Sequence, residues 1–109
     1  MESNAVVIAD STGVILFWSV GAEKAFGYSA AAAVGRTLDL IVPAEYREAH
    51  WNGFRRAMAS GAAPLEGRLN PFPVRQADGT VAAIPGTLTL VRRAKCAATI
   101  KMREERQSG

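Results

Sequence analysis

Strand signals occupy both flanks of the chain and helix signals its middle, an order that restricts the fold more than any other feature of the sequence. Ala5-Val-Val-Ile-Ala9 reads as a strand, Asp10-Ser-Thr-Gly13 as a turn, and the β-branched and aromatic run Val14–Trp18 as the second strand of a hairpin. Ser19 is placed to cap a short helix, Gly21–Phe26, stopped by Gly27, and Ser29 to cap another, Ala30–Val34, stopped by Gly35. Leu38–Val42 follows as a one-turn helix or tight coil. A long helix then starts with Pro43 at its first position and stops at Gly61. Beyond it, Pro64–Arg75 is an edge or irregular strand because Pro71 and Pro73 interrupt it. Ala77–Thr80 is a hairpin turn. Thr80–Arg92 is a long strand broken near Pro85-Gly86, and Lys95–Met102 is a last strand. The expected fold is α+β: a five-stranded antiparallel sheet, with helices inserted between the second and third strands and covering one face. A sheet clamped in this way can enclose a pocket.

At 109 residues the chain suffices for one domain, with its core over about residues 5–102 and a charged tail at 103–109. Apolar residues at 49% and charged residues at 21% lie near globular averages, so a real core is expected. The net charge of +3 is scattered rather than clustered, which gives no argument for a nucleic-acid surface. A single cysteine, Cys96, excludes an internal disulfide and any multi-cysteine metal site within one chain. No apolar run reaches the about 20 residues of a membrane span, and the N-terminus lacks the order of a signal peptide. The expectation is a soluble, cytoplasmic domain.

The candidate site lies on the long helix. Tyr46, His50, Phe54 and Ala57 fall on one face, and the only histidine of the chain sits in the middle of that apolar stripe. Such an imidazole serves either as a structural side chain or as a ligand. A neutral ring gives one lone pair to a metal, while its other nitrogen donates to a carbonyl that fixes the tautomer. Tyr46, Phe54, Ala57 and Met58 would form apolar walls around it. Arg56 lies about 120° round the helix from His50, either as a solvated cation or as a head that meets a carboxylate at a pocket rim; Arg55 is its obvious substitute. No Ser/His/Asp set, paired carboxylates or glycine-rich phosphate loop is present, so an enzyme is not expected.

Several segments together resemble a PAS domain. Val6–Trp18 (VVIADSTGVILFW) is similar to the opening hairpin, Ala22–Tyr28 (AEKAFGY) to the following helix, Val34–Pro43 (VGRTLDLIVP) to the joint before the long helix, and Asp78-Gly-Thr80 to the turn before the penultimate strand. Ser19 stands where the family usually has Asn, and Arg92–Lys95 is a short last loop. Pro43–Gly61 (PAEYREAHWNGFRRAMASG) resembles the haem-binding PAS domains of rhizobial oxygen-sensing kinases and of CO-responsive regulators.

That resemblance implies non-covalent haem b with His50 as the proximal iron ligand and Arg56 on a propionate. On the distal side it implies Asn70, or Arg68 two residues earlier, with Leu88 as an apolar wall and Gly86 leaving space beside it. Cys96 and Met102 are further donors that iron accepts. The flavin-reactive cysteine motif of light-sensing relatives is absent, since Leu38-Asp-Leu-Ile41 stands in its place. The implied function is a sensor of a diatomic gas (O2, CO or NO) or of redox state, acting as a homodimer. It would signal through Arg103–Gln107 to an effector outside this chain. The alternative is a PAS interaction module whose pocket is empty or holds a small organic ligand.

Overall fold

The computed structural model describes residues 4–63, 66–91 and 97–102, with Val91 and residues 97–102 as backbone. Strands β1 (Ala5–Ala9) and β2 (Ile15–Trp18) form the opening hairpin. Helices α1 (Val20–Phe26), α2 (Ala30–Ala33) and α3 (Arg47–Ser60) follow, and strands β3 (Asn70–Arg75), β4 (Val81–Val91) and β5 (Ala97–Met102) complete the chain. One antiparallel sheet results, in the order β2-β1-β5-β4-β3. β2 and β3 are therefore the two edges, and the helical segment that joins them travels from one edge of the sheet to the other. The connection length needed for that path is what the sequence supplies as helices.

The α+β class, the five strands and the position of the helices agree with the sequence expectation. Several local details differ, among them the start of β3 at Asn70 rather than Pro64 and of α1 at Val20 rather than Gly21. Pro43 does not open the long helix: it caps a one-turn 3-10 helix, Ala44–Tyr46, and Tyr46 at φ −108°, ψ 2° separates that turn from α3. α2 stops at Ala33 because Val34 is already extended. β2 begins at Ile15, with Val14 bridged to Thr37 instead. β4 is unbroken at Pro85-Gly86, and the register explains why. Pro85 pairs with Pro71 and Pro73 with Ala83. Opposed residues in an antiparallel pair exchange both N–H bonds or neither, so two facing prolines remove nothing from the ladder. The same register turns the missing donors of Pro71 and Pro73 towards the outer edge of the sheet, which blunts it. The last loop (Arg92–Lys95), Cys96, the side chain of Met102 and the tail Arg103–Gln107 lie outside the described residues.

The core lies between the sheet and the first helices. Val7, Ile15, Phe26, Leu38 and Val74 are almost wholly buried. Trp18 packs against Phe26 at 5.4 Å between ring centroids and donates its indole N–H to the Tyr28 carbonyl at 2.9 Å. Among the described residues no helix is long and apolar enough to cross a membrane.

Ser19 ties the hairpin to α1. Its Oγ accepts from the backbone N–H of Ala22 at 3.0 Å as the helix N-cap, and from that of Val6 at 2.8 Å. Its hydroxyl donates to the Asn4 carbonyl at 3.3 Å. Ser19→Ala leaves two donors unpaired and is expected to cost about 2 kcal/mol. Urea unfolding checks this: the midpoint should fall at unchanged slope, and an unmoved midpoint would contradict it.

Candidate functional site

α3 stands off the sheet. Of its fourteen residues only Ala57 is buried, and the gap beneath it is a cavity of about 410 Å³. That size falls within the usual range for small-molecule sites. Tyr46, Ala49, His50, Gly53, Phe54, Ala57 and Met58 form the helical wall, the positions that a 3.6-residue repeat brings to one face. Phe72 and Val74 of β3 and Leu88 and Leu90 of β4 form the facing wall, each pair two residues apart on its strand. Leu38, Ile41 and Val42 close one end. Among the described residues no Asp, Glu, Lys or Arg belongs to the lining. Tyr46 is 45% exposed and stands at the mouth.

His50 is the one ionisable imidazole in this apolar surface. Its Nδ1 is buried and has no hydrogen-bond partner among the described residues. Burial pushes its pKa below the ordinary value, against a smaller opposing pull from the Asp39 carboxylate. Burial thus favours the neutral ring, which keeps a lone pair on one of its two nitrogens. Its neighbours are aromatic: Trp51 meets it edge-on at 4.8 Å and Phe54 lies at 5.9 Å.

Trp51 is anchored in turn. Its indole N–H donates to Asp39 Oδ1 at 2.7 Å, and Asp39 also faces Arg47 Nε at 3.8 Å. The far end of the indole lies over the β1–β2 turn at Gly13, whose φ is +89°. The aromatic floor under His50 is thus fixed at two ends.

The structure brings together six of the expected residues: Tyr46, His50, Phe54, Ala57, Met58 and Leu88 all line the cavity. It does not bring in Arg56, Arg68 or Asn70. Arg56 and Arg68 are exposed, and Asn70 donates to the Arg68 carbonyl at 3.4 Å at the start of β3, opposite Gly86. Gly86 is buried in β4 and is not part of the lining. Arg55, the substitute for Arg56, is engaged with Asn52 Oδ1 at 2.7 Å.

Sequence reasoning did not single out Ala49, Gly53, Phe72, Val74 or Leu90 as cavity residues. Helical spacing from His50 leads to the first two. Strand alternation from Leu88, and across the β3–β4 register, leads to the others. The Asp39–Trp51 bond has no signal in sequence. Among the described residues no three His, Cys, Asp or Glu side chains converge as a metal cage.

Residues 3–95 match the family described as PAS fold. An uncharacterized protein of Azorhizobium caulinodans is 35% identical over 88 residues, which cover 80% of this chain and 12% of that protein. The oxygen sensor protein DosP of Escherichia coli is 27% identical over 82 residues, 73% of this chain and 10% of that protein. The chain thus spans about a tenth of the length of these curated relatives. Among solved structures, a PAS domain from Colwellia psychrerythraea superposes with a TM-score of 0.76 at 19% identity, over 94% of this chain and 86% of that one. The PAS domain of the Cronobacter turicensis quorum-sensing receptor RpfR, in complex with BDSF, gives 0.72 at 11% identity, over 97% of each. At such identities the two structures speak for the fold alone.

Proposed function

The chain belongs to the PAS family and is a sensory and signalling domain of that kind, and from that premise we propose that its cavity holds haem b through His50 to detect a diatomic gas or a redox change. The observation that carries this reading is the imidazole itself: the only histidine of the chain lines an apolar cavity with a buried, unpartnered nitrogen. The similarity to an oxygen sensor supports it.

The residues present fit such a group. Haem brings four iron donors of its own, so the protein would need to supply one lone pair rather than a cage. A neutral imidazole supplies it. Bound, the group provides an iron centre that takes up O2, CO or NO or changes oxidation state. The chain does the rest. His50 would hold the iron from α3, with Trp51 and Phe54 packed against its ring. Leu88 and Leu90 keep water from the opposite side. Arg56, exposed past the cavity and free of the Asn52 contact that occupies Arg55, is the proposed partner for a propionate. The β3 and β4 residues that face the cavity would pass a change in their packing along the sheet to β5, which pairs with β4, and onward to an effector. Non-covalent binding follows from the absence of a Cys-x-x-Cys-His motif.

Titrating haem into the purified chain should produce the intense absorption band of a ligated haem, saturating at one per chain. A chain that stays colourless ends this reading. One observation favours a second: among the described residues the lining holds no cation to meet carboxylates. An apolar organic molecule would then fill the cavity of an interaction module. Naphthalene, an uncharged apolar probe, raising the melting temperature of a colourless chain would establish that outcome.

A further inference from the structure

Gly53 sits in the interior of α3, where glycine is among the worst residues a helix can contain. Two ordinary reasons for a glycine do not apply to it. Its φ is not positive, unlike those of Gly13, Gly61 and Gly79. Nor does any neighbour approach closely, since a Cβ built there meets nothing within 4 Å. The fold therefore has no use for the missing side chain.

The cavity does. Gly53 is part of the lining, and it lies three residues after His50, on the same helical face. Ala49 and Ala57, four residues to either side, continue the low surface. The wall beside the imidazole is thus kept flat over two turns, while Tyr46, Phe54 and Met58 project around it. A narrow occupant makes no use of that shelf. A broad, planar one lying against His50 needs it.

We propose that Gly53 is the specificity-determining position of the cavity: its bare backbone reserves the space beside His50 that a broad planar occupant requires, so the size of the residue at 53 sets what the site admits. The inference rests on the haem reading and adds to it the residue that permits entry.

The test is a size series at this position, Gly53→Ala, Gly53→Leu and Gly53→Phe, with Asn52→Leu as the exposed control on the same helix. Each chain is melted without ligand and then titrated with haem. Every variant should melt at or above the wild-type temperature, because the new side chain enters open space and improves the helix. Haem affinity should fall with each increase in size, at least tenfold for Gly53→Phe, and stay unchanged for Asn52→Leu. A Gly53→Phe chain that binds haem as the wild type does overturns the proposal and leaves the haem reading intact. So does a series in which melting temperature and affinity fall together, the mark of a structural role. A wild type that takes up no haem ends both.

Discussion

His50→Ala is expected to abolish haem uptake while leaving the chain folded. The variant removes the one imidazole of the chain from the cavity wall, and among the described lining residues only Tyr46 and Met58 carry other donors that haem iron accepts. The folding cost should be modest, about 1–3 kcal/mol, for three reasons. The ring is only part-buried, its Nδ1 leaves no partner behind, and alanine is the best helix former. Haem titration and thermal melting measured on the same sample separate the two effects. Free imidazole added to the variant should restore the spectrum in part, by refilling the vacated space. Wild-type affinity in the variant would place the ligand elsewhere, with Met58, Cys96 and Met102 the sulfur donors to examine next.

The second large effect is expected 37 positions away in sequence, at Gly13. A Cβ there would lie 2.3 Å from the tip of the Trp51 indole, and the backbone is at φ +89°. Gly13→Ala therefore combines left-handed strain of about 1–2 kcal/mol with a clash against a ring that Asp39 holds at 2.7 Å. Overpacking of this kind adds about 1–3 kcal/mol. The sum, about 3 kcal/mol, should lower the melting temperature by on the order of 10–20 °C. Gly79→Ala is the matched control, because Gly79 has φ +90° and nothing within 4 Å of its Cβ. It should show the strain alone. Equal losses in the two variants would mean that Trp51 moves aside freely and does not brace His50.

Much of the fold was legible because its local signals agree. Ser19 and Ser29 do cap α1 and α2, Gly27 and Gly61 do end helices in the left-handed conformation, and Pro71 with Pro73 does mark an edge strand. The misreadings arose where tertiary register decided. Pro85 looked like a break, yet it faces another proline and disturbs no ladder bond. The helical half of the cavity was readable from periodicity around His50. The facing half depended on where along each strand the cavity lies: Asn70 shares the face of Phe72 and Val74 by alternation, yet it sits at the start of β3, short of the lining. Asp39 and Trp51 meet across a joint between elements, and no sequence spacing encodes that geometry.

The sheet order has a consequence for how the chain comes into being. β1 pairs on one side with β2, its immediate successor, and on the other with β5, where Val7 lies opposite Ile100. During synthesis the first strand emerges with its inner edge unpaired, and it waits until nearly the whole domain has been translated. Until then β1–β2 and β3–β4 are separate hairpins, each open along the side that will become the middle of the sheet. Closing so long a loop is slow, and unpaired strand edges invite association with other chains. A nascent chain halted before residue 97 should therefore depend on chaperones, and one released after residue 102 should not.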